Sequence, residues 1–254
     1  MKVLILAAGH GTRLFPLIKD TPKALLKIQG KALLSYIVEK IKSLDNLNEI
    51  LIITNGKFYP QFLSWKEDYQ TSSSVPIRIM DDGTKMLEER LGSMGDVRFA
   101  LDNAPIKDDV LIVGSDNLFD QDIERFMILA LKNSPLATIG AYDVQSKQEA
   151  KKFGVVSLDE YNKIISFEEK PVRPKSSLAA MCFYYFPKET LHWVGEYIQE
   201  TRKTDAAGEY IKWLCSKTDV YGFKFSGKWY DIGSVESYKE AQSKFTSNPK
   251  SERT

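Results

Sequence analysis

Short, continuous apolar runs alternate with segments of helical period through the first half of the chain, and this alternation restricts the fold more than any other feature. Lys2–Leu6 is apolar at every position after its lysine, as expected of a strand covered on both faces. Leu33, Leu34, Ile37, Ile41 and Leu44 recur at helical spacing and predict one apolar face between Lys31 and Leu44. Glu49–Thr54 reads as a second strand closed by Asn55-Gly56, followed by a helical stretch at Phe58–Tyr69 and a short strand at Ile77–Met80. Val110–Val113 is another buried strand, ending at Gly114-Ser115-Asp116-Asn117. Asp122–Lys132 then reads as helix and Ala137–Tyr142 as strand. Such alternation predicts an α/β fold, with a mostly parallel sheet and helices on both faces.

The second half changes character. Gly154–Leu158, Lys163–Glu168 and Leu178–Phe186 read as strands separated by turn-rich pieces. Helices are expected at Lys188–Glu200, at Ala206–Ser216 and from Val235, with a strand at Val220–Phe225 before the last. No composition break marks a linker, so residues 1–245 are expected to form one domain, with 246–254 as a polar, flexible tail. A length of 254 residues is enough to bury a core unaided.

Composition excludes several classes of function. With 35 Lys+Arg against 34 Asp+Glu, the net charge of +1 gives no bulk attraction for nucleic acid or anionic membrane. Two cysteines, Cys182 and Cys215, make neither a disulfide framework nor a zinc pattern, and both read as small core residues. No apolar run approaches membrane-span length, and Met1–Gly9 reads better as a buried strand than as a leader. A soluble, cytoplasmic protein is expected.

The loop Ala7-Ala8-Gly9-His10-Gly11-Thr12-Arg13-Leu14 directly follows the first strand. Its glycines let backbone N–H groups approach and cradle phosphate oxygens. A dinucleotide fingerprint would need a small residue where Leu14 stands, and an acid after the second strand where Thr54-Asn55-Gly56 stands. A Walker A loop would need Gly-Lys-Ser/Thr, which does not occur there. What remains is a glycine loop closed by Arg13 and followed by Pro22-Lys23, a cationic setting suited to a triphosphate whose leaving group gathers charge.

The stretch AAGHGTRLFPLIKDTPKALLKI closely resembles the signature of the sugar-1-phosphate nucleotidylyltransferases. Further blocks follow in that family's order: Leu91–Asp96, Gly114–Asn117, Phe153–Val156 with Phe167–Pro171, and Trp229–Ser234. The resemblance implies a Rossmann-like, GT-A-like nucleotidyltransferase fold with a mixed central sheet. It also implies transfer of a nucleoside monophosphate from a triphosphate to a sugar 1-phosphate, releasing pyrophosphate. By the same resemblance Arg13 contacts the triphosphate and Lys23 the phosphates at the reacting centre. Ala8, Gly9, Gly11 and Gly92 line the nucleotide. Lys170 holds the sugar phosphate and Glu169 the sugar hydroxyls, beside Gly154. Asp116 and Asp231 become the candidate ligands of Mg²⁺, which favours carboxylate and phosphate oxygens, and Asp116 is counted with Arg13 and Lys23 as catalytic.

The N-terminal signature is closest to relatives using dTTP or UTP with glucose 1-phosphate, and a homo-oligomer is compatible with it. Two departures bear on the base: Asp96 stands where the family carries Ala, and the segment Asp81–Arg90 is long and charged. Two other readings stay open: transfer to a different phosphorylated alcohol, such as phosphocholine or an inositol phosphate, and a non-catalytic subunit binding sugar nucleotides. No hexapeptide repeats follow the nucleotide-binding half, so acyl transfer is not expected. His10 reads as a phosphate contact or a hydrogen-bonded loop residue, and His192, Trp193, Trp213, Tyr184 and Tyr185 as packing residues.

Overall fold

The computed structural model describes residues 1–17, 19–69 and 75–245; the expected tail at 246–254 lies outside them. Its first half runs β1 (Lys2–Leu6), β2 (Lys27–Ile28), β3 (Lys31–Ala32), α1 (Leu33–Ile41), β4 (Glu49–Thr54), α2 (Tyr59–Asp68), β5 (Ile77–Asp81) and α3 (Ser93–Asn103). Then come β6 (Val110–Gly114), β7 (Asn117–Phe119), α4 (Glu124–Asn133), β8 (Ala137–Asp143) and the single turn α5 (Lys147–Ala150). The remainder is β9 (Gly154–Leu158), β10 (Ile164–Glu169), β11 (Leu178–Phe186), α6 (His192–Thr201), α7 (Ala207–Lys217), β12 (Val220–Phe225), β13 (Trp229–Asp231) and α8 (Val235–Lys244).

The main sheet is mixed, as the resemblance implies. β6, β1, β4 and β5 are parallel neighbours in that order. β11 pairs antiparallel with β6 and then with β8 and β9, while β12 runs parallel to β8. Successive side chains of a strand point to opposite faces, so each central strand feeds two cores. Val3, Ile5, Ile50, Ile52, Leu111 and Val113 pack with α1, α2 and α4. Leu4, Leu51, Ile53, Val110 and Ile112 pack with α3, α6 and α7. Both faces of β1, β4 and β6 are therefore dry, which is why those strands read as continuous apolar runs.

Several boundaries move. The helix expected over Lys31–Leu44 begins at Leu33, because Lys31–Ala32 pairs with Lys27–Ile28 in a small ribbon. The stretch expected as one helix from Lys188 divides into a 3₁₀ turn, Lys188–Thr190, and α6. Helix α3 has no counterpart among the expected elements: its buried stripe of Met94, Val97 and Ala100 is short and interrupted by Gly95. His192, expected to pack, stands at the start of α6 with a side chain 55 % exposed and its ring 4.6 Å from that of Trp193. Cys182 and Cys215 are half-buried at the margin of the second core instead of inside it. Among the described residues, no helix is long and apolar enough to cross a membrane.

Candidate active site

The glycine loop leaves the C-terminal end of β1, where parallel strands of an open α/β sheet place their crevice. Buried Asn55, at the end of β4, donates from Nδ2 to the Ala8 carbonyl at 2.8 Å and accepts from the Phe58 amide at 3.1 Å. One side chain thereby fixes both the start of the loop and the entry to α2. Leu14 closes the loop as a fully buried anchor in the 3₁₀ turn Thr12–Leu14, leaving Arg13 exposed beside it. A second 3₁₀ turn, Lys23–Leu25, is pinned by buried Ala24, and Lys23 projects into the cleft.

Asp116 sits between β6 and β7. β7 pairs antiparallel with β13, with Asn117 opposite Asp231, and the Ile232 amide donates to the Asp116 carbonyl at 2.9 Å. Asn117 reinforces this ribbon by accepting from Trp229 Nε1 at 2.8 Å. The ribbon brings two carboxyls together from distant parts of the chain. Lys23 Nζ donates to Asp116 Oδ2 at 2.7 Å. Burial acts to raise the Asp116 carboxyl, but Lys23 and then Arg13 outweigh it and hold the group below its ordinary value. Asp231 goes the other way, pushed up to about 6 by burial and by the charge of Asp116. The pair presents hard oxygen donors already crowded with negative charge, a set that fits a divalent cation. Among the described residues no cluster of three or more His, Cys, Asp or Glu is arranged to hold a metal, so phosphate oxygens and water would complete such a shell.

The cleft has two lobes sharing a wall of Arg13, Ser93, Asp116, Cys182, Asp205 and Gly233. The first, about 360 Å³, contains Ala8, Gly9, Gly11, Lys23 and Gly92. The second, about 850 Å³, contains Gly154, Glu169, Lys170 and Asp231. Every site residue expected from the sequence therefore lines one lobe or both.

Local geometry explains several of these positions. Gly92 has φ 79°, and a Cβ there would lie 2.5 Å from Asp205 Cα. The backbones touch because the Asp205 and Thr204 carbonyls accept from the Ser93, Met94 and Gly95 amides at the start of α3. Across the same junction Arg90 donates to Asp205 at 2.9 Å. In the second lobe the Lys170 amide bonds to the Phe153 carbonyl at 3.0 Å, which joins the Phe-Gly-Val and Glu-Lys-Pro segments. Lys170 holds φ 45°, an uncommon conformation for a side-chain-bearing residue. Glu169 occupies the space that a Cβ on Gly208 would need, in the first turn of α7, and burial raises its carboxyl.

Asp82 and Arg90 stood out in the sequence only within the charged segment Asp81–Arg90, and Ser93 only within the block Leu91–Asp96; Asp205, which lines the first lobe with them, gave no signal. Asp205 lies in a short loop before α7 with no motif around it. Asp96 carried a signal only as a departure from the family pattern.

The chain matches the nucleotidyl transferase family profile over residues 2–248. It is 31% identical over 238 residues to the bifunctional protein GlmU of Methanocaldococcus jannaschii, covering 92% of this chain and 51% of that one. The chain thus spans about half the length of this curated relative. A Bacillus anthracis protein described as a glucose-1-phosphate thymidylyltransferase, solved with sucrose, superposes with a TM-score of 0.78 at 25% identity, over 96% of this chain and 94% of that one. A UDP-glucose pyrophosphorylase solved with UDP-glucose shares the fold, with a TM-score of 0.76 at 22% identity over 95% and 97% of the two chains. The chain belongs to the nucleotidyl transferase family, in agreement with its sequence resemblance to the sugar-1-phosphate nucleotidylyltransferases.

Proposed function

We propose that this chain transfers a nucleoside monophosphate from a nucleoside triphosphate to a sugar 1-phosphate. The observation that carries the reading is the Lys23–Asp116–Asp231 cluster beside the wall common to both lobes. A triphosphate in the first lobe and an acceptor phosphate in the second would meet there. An acceptor phosphate oxygen attacks the α-phosphorus, the new P–O bond forms, and the bond to the β-phosphate breaks with its electron pair leaving on pyrophosphate. A sugar phosphate is already largely ionised near neutral pH, so the step needs no general base, and positioning with charge stabilisation suffices.

Arg13 and Lys23 bring positive charge to the oxygens that become more negative as the leaving group departs. The glycine loop offers amide donors to the triphosphate, with Ala8, Gly9, Gly11 and Gly92 along the nucleotide. Lys170 meets the acceptor phosphate, while Glu169, beside Gly154, accepts from sugar hydroxyls. Asp116 and Asp231 would hold Mg²⁺, which supplies Lewis-acid stabilisation of the phosphate oxygens when bound. The expectation of dTTP or UTP comes from the N-terminal signature, whose residues flank the phosphates. The residues farther along the first lobe bear on the base.

The testing experiment is pyrophosphate release across a matrix of triphosphates and phosphorylated acceptors, with glucose 1-phosphate, phosphocholine and an inositol phosphate among them. Release that depends on a sugar 1-phosphate supports the reading. Release only with phosphocholine or inositol phosphate moves the acceptor class, and no acceptor-dependent release favours a binding subunit.

A further inference from the structure

Asp96 is 6% exposed and lines the first lobe, and its Oδ1 is completely buried without a hydrogen-bond partner. An unpaired buried carboxyl is costly, so its presence calls for a reason. Capping α3 is not the reason. The Ser93, Met94 and Gly95 amides are taken by the Asp205 and Thr204 carbonyls, and the Asp96 amide by Gly92. With the start of the helix satisfied by backbone, the carboxyl is left to the lobe.

A second carboxylate and a second unpartnered atom lie in the same lobe. Asp82 lines the same lobe and its charge reaches Asp96; Asp82 itself accepts from the Thr84 amide and hydroxyl at 2.8 Å each. His10 presents a second buried, unpartnered atom, Nε2, in this lobe. Burial first, then Lys57, holds that imidazole below its ordinary value and so favours the neutral ring. Arg90, on the same lining, is engaged by Asp205. Asp82, Asp96 and His10 border the first lobe alone and take no part in the wall shared with the acceptor lobe. Lys23, Gly9 and Gly11 also border the first lobe alone and serve the phosphates, whereas Asp82 and Asp96 come from the end of β5 and from α3, outside that loop, and are left for the nucleoside.

We propose that Asp96 reads the nucleobase and selects one that carries an exocyclic amino group, guanine, adenine or cytosine, over uracil and thymine. Oδ1 is closed off from solvent, so a rotation of the Asp96 side chain toward the lobe would let an amino group give it the donor it lacks. Uracil and thymine instead place carbonyl oxygens on both sides of their single ring N–H, and these would meet the Asp82 and Asp96 oxygens once Asp96 has lost the proton it holds below about pH 8. A buried polar group left unpaired by the wrong base discriminates far more sharply than an apolar wall does.

The inference rests on the nucleotidyltransferase reading above, and its test needs no acceptor. Equilibrium binding of GTP, ATP, CTP, UTP and dTTP to the whole chain would be measured by calorimetry in Mg²⁺ at about pH 8.5, above the range in which Asp96 holds its proton, for wild type, Asp96→Asn and Asp96→Ala. The expected result is that an amino-bearing base binds tightest, with roughly tenfold or greater preference over UTP and dTTP. Asp96→Asn keeps the shape but offers an N–H as well as a carbonyl, so it should narrow that gap by strengthening UTP. Asp96→Ala should narrow it by weakening the preferred base. Circular dichroism checks that each variant is folded, and the nearly isosteric Asn variant serves should Ala not fold. Tightest binding of UTP or dTTP by wild type, or an unchanged ranking in Asp96→Asn, overturns the proposal. Equal losses for every triphosphate would assign Asp96 to the ribose and overturn it too. No binding of any triphosphate would instead sink the nucleotidyltransferase reading itself.

Discussion

Lys23 Nζ lies 2.7 Å from Asp116 Oδ2, tying the 3₁₀ turn behind the glycine loop to the end of β6 across 93 residues of chain. Asp116 is also the acid whose charge acts most on Asp231, so Lys23, with Arg13 behind it, acts on both carboxyls. The contact keeps Asp116 ionised against burial and gives Lys23 a fixed position, which an exposed lysine would lack. Its side chain is only 16% exposed and Asp116's 30%, so solvent screens the pair incompletely.

Replacing Lys23 by Gln should therefore cut turnover by roughly a hundredfold or more, the scale of losing one preorganised charge at a developing anion. KM for the triphosphate should rise much less than kcat falls. Steady-state pyrophosphate release checks this, and a turnover within threefold of wild type would remove Lys23 from the reacting centre.

Asp116→Asn and Asp231→Asn should each lower turnover by about a hundredfold or more and raise the Mg²⁺ concentration needed for half-maximal rate. Asp231→Asn also removes one of two mutually repelling carboxylates. In metal-free buffer at pH 7 it should melt at least ~2 °C above wild type. Near wild-type rates for both variants in limiting Mg²⁺ would show the metal assignment to be wrong.

The strands and the glycine loop were legible because local chemistry determines them. β1, β4 and β6 are apolar on both faces, and the glycines and cations of residues 7–23 sit within one continuous stretch. The facing of Asp116 and Asp231 was not legible from periodicity. It depends on β7 and β13, three residues each, whose pairing is held by Asn117 and the Trp229 indole. Helix α3 was hidden for a related reason: its first turn is Gly-Ser-Met-Gly-Asp, and the carbonyls that stabilise it come from Thr204 and Asp205. Such long-range partners leave no local pattern. Asp96 stood out in the sequence, but only the structure showed that its carboxyl oxygen Oδ1 is buried and unpaired.

Gly92 offers a test of that long-range junction. Gly92→Ala would drive a methyl group into the Asp205 and Thr204 backbone at 2.5–2.6 Å while forcing alanine into φ 79°. Gly83→Ala faces the same unfavourable φ sign, at 83°, but nothing lies within 4 Å of its Cβ. Urea unfolding should show a loss of about 1 kcal/mol for Gly83→Ala and at least ~3 kcal/mol for Gly92→Ala, the excess measuring the backbone clash. Similar losses at both sites would mean that the junction of α3 with residues 204–205 yields easily.

Burial, followed by the charge of Asp82, pushes the Asp96 carboxyl up to about 8, far above its value in an unfolded chain. Between about pH 4 and pH 8 the folded protein therefore holds a proton that the unfolded chain has released. A raised carboxyl of this kind makes the fold progressively less stable as pH rises through that window, with no further loss above it. Asp96→Asn cannot titrate, so it is spared this loss. Its melting temperature relative to wild type should climb with pH, gaining on the order of 5 °C between pH 5 and pH 8.5. Other groups that titrate over this range, Asp231 and His10 among them, act on both proteins and largely cancel in the difference. Nucleotide-free melting by differential scanning calorimetry at the two pH values measures it directly. A difference that stays flat, or shrinks as pH rises, would mean that Asp96 is ionised throughout in the free protein and already compensated.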